Sequence, residues 1–244
     1  MSQLIYGINP VREALKGLRR KPLELLIRQG PTSPRLAELL AEARRSGVPI
    51  RELLRQELEQ LAGTDQHQGV VLRVEPLPQM SFEELLARSA DADQPVWLAL
   101  DGITDPHNFG AILRNADAAG CQGVVVAKDR SCPLNATVAK TSAGAVDSIP
   151  VCRVTNLARA LEQFKGKSYW VYGLAGDEGA VPFYGTDLSG PVVIVVGAEG
   201  KGLRPNVRSH CDQLLSIPML GQVSSLNASV ATGVALFEAL RQRL

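Results

Sequence analysis

Three short stretches in the second half of this 244-residue chain gather the polar side chains best able to do chemistry. They are Asp101–Arg114 (DGITDPHNFGAILR), Val195–Leu203 (VVGAEGKGL) and Ile217–Asn227 (IPMLGQVSSLN). Asn108, Arg114, Glu199, Ser225 and Asn227 together offer amides, a guanidinium fork, a carboxylate and a hydroxyl. Such a set suits orienting a polar substrate, holding a phosphate and stabilising a developing oxyanion. Each stretch follows an apolar, β-branched run and opens or precedes a helix. In an open α/β sheet those positions fall at the carboxyl ends of strands, where ligands bind. The pattern therefore predicts one composite site.

Taken singly, each stretch also suits a structural duty. Gly197-Ala198-Glu199-Gly200-Lys201-Gly202 follows the run Val192–Val196, but it meets neither the P-loop spacing GxxxxGK[ST] nor the dinucleotide spacing GxGxxG. What remains is a glycine-rich turn that lets backbone approach a ligand, or an ordinary strand-to-helix turn. Asp101-Gly102 and Asp105-Pro106 read as turn formers. Asn108 stands where a helix begins, either as its cap or as a site residue, and Arg114 is either a solvated charge or a ligand-holding one. Ser225 and Asn227 also suit caps. The helix after them is rich in small residues (Ala228, Ala231, Gly233, Ala235, Ala239), which permits close packing through the core or across a dimer seam. Asp101, Asp105 and His107 fit turns better than a metal site, so no metal is expected. No GxSxG elbow is present, and His67, His107 and His210 form no triad pattern.

An alternation of strands and helices from Pro95 onward must position these side chains. Val96–Leu100, Gly123–Ala127, Ile149–Cys152, Tyr169–Leu174, Val192–Val196 and Leu214–Ile217 read as strands. Phe109–Ala119, Ala136–Ala145, Leu157–Phe164 and Ala228–Arg241 read as helices. The expectation is an α/β domain with a mostly parallel sheet covered on both faces. Residues 1–76 read as a separate, small α/β unit. In it, Asn9 caps a helix with Pro10 at its first position, and Val11, Ala14, Leu15 and Leu18 form one face. Leu23–Ile27 is a strand, Leu36, Leu39, Leu40 and Ala43 mark a second helix, Glu52–Leu61 a third, and Val70–Val74 a closing strand. Residues 77–94 form a linker with one short helix, opened by the capping box Ser81-x-x-Glu84. The expected domains are thus 1–76 and 95–244, joined by 77–94.

Composition, at 45% hydrophobic and 21% charged, is that of a globular chain able to bury a full core. A net charge of +1 neither requires nor excludes RNA, because a local patch suffices. Residues 1–76 carry 12 Lys and Arg against 9 Asp and Glu, so the basic excess is amino-terminal. Arg12, Lys16, Arg19, Arg20 and Lys21 are its densest cluster, suited to RNA phosphates or to a solvated helix face. Few aromatics argue against an extended base-stacking platform. Cys121, Cys132, Cys152 and Cys211 show no CxxC pairing and read as reduced thiols, with Cys121 and Cys152 in the core. With no apolar leader and no apolar run near the roughly 18 residues of a membrane span, a cytoplasmic protein is expected.

In order and at strand ends, the three stretches resemble the three motifs of the SpoU group of SPOUT RNA methyltransferases, and the likeness extends to the amino-terminal IYGINPVREAL. The resemblance implies methyl transfer from S-adenosylmethionine (AdoMet) to a ribose 2′-oxygen. Over nearly the whole length it implies a guanosine of 23S rRNA as the substrate. It puts Asn108, Arg114, Glu199, Ser225 and Asn227 in the active site and Gly197, Ile217 and Leu226 at the cofactor. It further implies an L30e-like RNA-binding unit over 1–76, a SPOUT catalytic domain with a carboxyl-terminal trefoil knot, and a homodimer. The alternatives are a tRNA 2′-O-methyltransferase of the same group and a non-catalytic RNA-binding assembly factor of this fold. A full amino-terminal unit favours rRNA over tRNA, and an intact polar set speaks against lost catalysis. A guanidinium stays protonated at any accessible pH, so Arg114 is expected to hold phosphate and stabilise an alkoxide. Asn108, Ser225 and Asn227 are expected to orient ribose and Arg114, and Glu199 to position Arg114 or the substrate.

Overall fold

Leucine and β-branched runs build two separate sheets, each the centre of its own unit. The computed structural model describes every residue except Met1, Gly17, Leu18, Gln79, Ala90, Asp91, Asp177 and Glu178. One unit comprises Met1–Pro78 with Leu134–Ser148, the other Gln79–Pro133 with Ile149–Leu244.

The first unit runs β1 (Gln3–Tyr6), α1 (Ile8–Leu15), β2 (Pro22–Arg28), α2 (Pro34–Arg45), β3 (Ile50–Leu53), α3 (Arg55–Ala62) and β4 (Val70–Val74). Its sheet order is β1-β4-β2-β3, with only β2 and β3 parallel. α2 buries Leu36, Leu39, Leu40 and Ala43, the face its spacing predicts. α1 buries Val11, Ala14 and Leu15; the expected fourth member, Leu18, lies outside the described residues. Two expectations are corrected. α1 starts at Ile8, so Asn9 lies inside its first turn, and the cap is Gly7 with a φ of 94° that favours glycine. The Ile8 N–H donates instead to Gln68 Oε1 at 2.9 Å. The third helix starts at Arg55 rather than Glu52, because Ile50–Leu53 pairs in parallel with Leu25–Arg28; sheet pairing overrides local preference there.

The second unit begins with α4 (Phe82–Arg88), β5 (Val96–Asp101), α5 (Pro106–Ala118) and β6 (Gly123–Ala127). After α6 (Ala136–Thr141), which lies in the first unit, come β7 (Val151–Val154), α7 (Leu157–Lys165), β8 (Trp170–Leu174) and β9 (Val181–Pro182). β10 (Val192–Gly197), α8 (Pro205–Arg208), β11 (Gln213–Ser216) and α9 (Ala228–Arg241) complete it. Its seven strands, ordered β7-β6-β5-β10-β8-β11-β9, are all parallel. Every residue of β5 and β6 is buried, as a sheet covered on both faces requires. The capping box of α4 is present, Ser81 and Glu84 each bonding the other's backbone N–H. Phe82 then packs edge-on against Phe164, with ring centroids 4.9 Å apart, in the core of this unit. β7 starts at Val151 instead of Ile149, since Pro150 has no N–H to give a ladder.

The segment Leu134–Ser148 is fastened to the first unit by charge. Arg20 and Asp147, 127 positions apart, form a buried two-pronged ion pair, with Nη2 to Oδ2 at 2.9 Å. Arg20 also donates to Gln3 Oε1 at 3.2 Å. The helix expected to reach Ala145 stops at Thr141 and resumes as a 3-10 turn over Ala145–Asp147. All four cysteines are free thiols; Cys132 and Cys152 are buried, while Cys121, expected in the core, is only partly so. Among the described residues no helix is long and apolar enough to cross a membrane.

Candidate active site

The site is built from three element ends of the second unit. At the start of α5, Asp105 is the cap, accepting from the N–H groups of His107 and Asn108 at 3.2 and 3.1 Å. Pro106 fills the first helical position. The helix thus begins before Asn108, whose side chain is relieved of the capping role its position suggested. At the end of β10 the chain folds back on itself: Ala198 and Gly202 bridge, and Gly202 N–H donates to Ala198 O at 2.8 Å. A Cβ on Gly197 would stand 2.3 Å from the carbonyl carbon of Gly202, so only glycine permits this pinch. Glu199 is thereby held out at the tip. At the start of α9, Asn227 caps, its Oδ1 accepting from Ser229 N at 2.9 Å and Val230 N at 3.4 Å.

That cap assigns the Asn227 amide: with Oδ1 turned to the helix, Nδ2 must face away. It donates to Asn108 Oδ1 at 2.9 Å and, by a short bond, to Glu199 Oε1. Asn108 Nδ2 donates to the same Glu199 oxygen at 3.0 Å, and Ala228 N–H at 3.1 Å. One carboxylate oxygen therefore collects three donors at the positive end of a 14-residue helix. Asn227 thus caps α9 and meets Asn108 and Glu199 at once, so capping does not exclude a role in the site.

Beside this triangle lies a cleft of about 1020 Å³ at the carboxyl ends of β8, β10 and β11. Gly197, Ile217 and Leu226 line it, with Glu199 and Ser225. Among the described residues, Ile217–Leu226 make no backbone–backbone hydrogen bond. Arg114 is exposed on α5 and, among the described residues, forms no ion pair with Glu199 or hydrogen bond to the triangle. Ser225 is likewise exposed.

Two features escaped the sequence. Asp101, expected as a turn former, is buried and binds Arg204: Oδ2 accepts its N–H at 2.8 Å and Oδ1 its Nε at 2.6 Å. The available signal was an acid ending the apolar run VWLAL, since a carboxylate buried on a two-sided sheet needs a partner. Asn115, next to Arg114, donates to Ser229 O at 3.0 Å and fastens α5 to α9. Gly233 allows that approach, because a Cβ there would stand 3.1 Å from Asn115 Nδ2. The small residues Ala228, Ala235 and Ala239 are buried inside the unit.

The basic cluster of the first unit fares differently. Arg12 pairs with Glu38 at 3.3 Å and Glu42 at 3.5 Å, and Lys16 with Glu13. Arg19, partly buried, donates to Val146 O at 3.3 Å. Arg20 departs from the surface position expected of it: at 7% exposure it is paired with the buried Asp147. Lys21 is exposed. Among the described residues no group of three or more His, Cys, Asp or Glu side chains converges as a metal site.

Residues 95–237 match the SpoU rRNA Methylase family, and residues 4–80 match the RNA 2′-O ribose methyltransferase substrate binding family. The chain belongs to the SpoU rRNA methylase family. It is 48% identical over 243 residues to a 23S rRNA (guanosine-2′-O-)-methyltransferase RlmB of Shewanella oneidensis, covering 98% of this chain and 97% of that protein. To the protein of the same name from Escherichia coli K12 it is 46% identical, covering all of both chains. The crystal structure of the SpoU methyltransferase AviRb from Streptomyces viridochromogenes in complex with AdoMet superposes with a TM-score of 0.82 at 27% identity, covering 99% of this chain and 90% of that one.

Proposed function

We propose that this chain transfers the methyl group of AdoMet to the ribose 2′-oxygen of a guanosine in 23S rRNA. The observation that carries the reading is the Asn108–Glu199–Asn227 triangle beside the cleft. The cleft fits AdoMet in kind: a glycine-pinched wall lets backbone come close, and the segment Ile217–Leu226, without backbone–backbone bonds among the described residues, offers N–H and C=O groups of the kind an adenine edge needs. Gly197, Ile217 and Leu226 would hold it. When bound, AdoMet supplies a methyl group already activated by the sulfonium.

The protein's own task is then alignment, worth roughly 7–11 kcal/mol, and help in removing a proton from a weakly nucleophilic 2′-hydroxyl. Glu199 Oε1 is saturated by its three donors, which leaves Oε2 to position the substrate. Arg114, exposed and outside the triangle, is the group for the nucleotide phosphate and the developing alkoxide, with Ser225 orienting the ribose from the cleft wall. Residues 1–76 serve as the L30e-like RNA-binding unit, with Arg12, Lys16 and Lys21 left as its basic contacts. The full-length match to rRNA enzymes favours rRNA over tRNA. The carboxyl-terminal segment forms the family's trefoil knot; β10, late in the chain yet seated between β5 and β8, supports that threading. We place the protein in the cytoplasm with its substrate.

The test is incubation with methyl-labelled AdoMet and unmodified 23S rRNA, beside a tRNA pool, and mapping of the labelled ribose. Label at one 2′-oxygen of 23S rRNA upholds the reading; label only in tRNA overturns the substrate. A homodimer is part of the proposal, because α9 exposes Val230 and Phe237, 50% and 47% accessible, on one helical face. Phe237→Glu should yield a monomer by light scattering; a monomeric wild-type protein would refute the dimer.

A further inference from the structure

The Asp101 side chain is fully buried, yet among the described residues it bonds neither the Asn108–Glu199–Asn227 triangle nor the cleft wall around Glu199. Its Oδ2 accepts the Arg204 N–H at 2.8 Å; its Oδ1 meets Arg204 Nε and Nη2, each at 2.6 Å. Meanwhile the backbone of Asp101 is in register with Gly197 across β5 and β10. One residue therefore fixes both ends of the loop: Gly197 where it leaves the sheet and Arg204 where it returns. Between those anchors the Gly197–Gly202 pinch leaves only Glu199, Gly200 and Lys201 as a tip. A few residues further on, Asp105 caps α5 and so sets Asn108.

We propose that Asp101 is a positioning residue for methyl transfer. Acting through Arg204, it sets the height of the loop so that Glu199 Oε1 meets Asn108, Asn227 and the Ala228 N–H together. The proposal rests on the methyltransferase reading of the site. Fold stability does not call for such a pair, since apolar side chains of similar volume often hold a buried position as well. A carboxylate that takes the Arg204 N–H on one oxygen and its guanidinium on the other adds direction, which an apolar contact lacks.

The experiment compares Asp101→Asn, Arg204→Met, their double variant and Arg204→Lys with wild type. Thermal melts, AdoMet Kd by calorimetry and single-turnover methylation of 23S rRNA at saturating AdoMet are measured. Arg204→Met strands the buried carboxylate and Asp101→Asn weakens its hold on Arg204, and each lowers both melting temperature and rate. The double variant removes both charges and should melt above Arg204→Met, which strands a buried carboxylate, while its rate stays about 100-fold low and its AdoMet Kd about tenfold high. Recovery of rate together with melting temperature would mean the pair is only structural and would overturn the proposal. Arg204→Lys keeps the charge and the backbone N–H but loses the fork, and should fold normally yet turn over about tenfold slower. A wild-type rate for that variant also overturns it. If wild type itself labels no rRNA, the methyltransferase reading fails. AdoMet Kd still judges the loop in that case: a value unchanged in the double variant sinks the positioning role, and a raised one sustains it.

Discussion

The carboxyl end of the seven-stranded sheet and the surface around α1 use polar side chains in opposite ways. At the sheet, Asn108, Glu199 and Asn227 come from three distant stretches, and folding gathers them on one carboxylate oxygen. Around α1, five cations crowd within ten residues of sequence, and folding disperses them: Arg12 to Glu38 and Glu42, Lys16 to Glu13, Arg20 into the interior with Asp147. Dense charge in a sequence can therefore mark local pairing, whereas sparse polar residues at strand ends mark a site. The physical reason is that parallel sheets align their carboxyl ends, while cations close in sequence repel and each seeks its own acid.

The contrast can be broken most forcefully at Arg20. Arg20→Ala leaves Asp147 buried and unpaired, and should cost about 3–5 kcal/mol of stability in urea unfolding. A variant as stable as wild type but weaker in RNA binding would reverse the assignment of this arginine. Asn227→Ala acts on the other region: methyl transfer should fall roughly 10²–10³-fold, against about 1 kcal/mol of stability for the lost cap. Single-turnover rates set beside melts distinguish the two losses, and a rate drop no larger than the lost cap explains would remove Asn227 from the site. Lys21→Ala sharpens the comparison more gently. It should leave stability alone and flatten the plot of log affinity for rRNA against log salt by about one phosphate contact; an unchanged slope takes Lys21 off the RNA surface.

The smallest effect concerns His67, buried in the first unit, with Nδ1 accepting from Gly69 N–H at 3.0 Å. Burial pushes its pKa below the ordinary histidine value. The unfolded chain then takes up the proton first, so the stability this neutral ring contributes is intact above about pH 6.5 and erodes as pH falls below it. His67→Asn keeps an acceptor for Gly69 and should flatten that decline in urea midpoints between pH 7 and 5. Equal slopes in both proteins would discard the assignment.

Much of the second unit was legible in the chain itself. Buried parallel strands need uninterrupted β-branched runs, and Gly123–Ala127 has the bounds its run suggests. Ser81-x-x-Glu84 is a local device and reads locally. What stayed hidden depends on partners far along the chain. Ile50–Leu53 is a strand only because β2 lies beside it. Asp101 is an anchor only because Arg204, 103 positions on, returns to it. Asn108 resembles a cap until Asp105 is seen to hold that place.

The distance between Arg20 and Asp147 also bears on how the protein is made. A ribosome adding about 5–20 residues per second exposes Arg20 some 6–25 s before its counter-ion exists. During that interval the nascent first unit must keep a cation hydrated that its finished form buries. The Asn108–Glu199–Asn227 triangle waits longer still, for Asn227 and the helix it caps. Synthesis thus ends on the segment that completes the candidate site, long after the four strands of the first sheet, all within residues 3–74, have emerged.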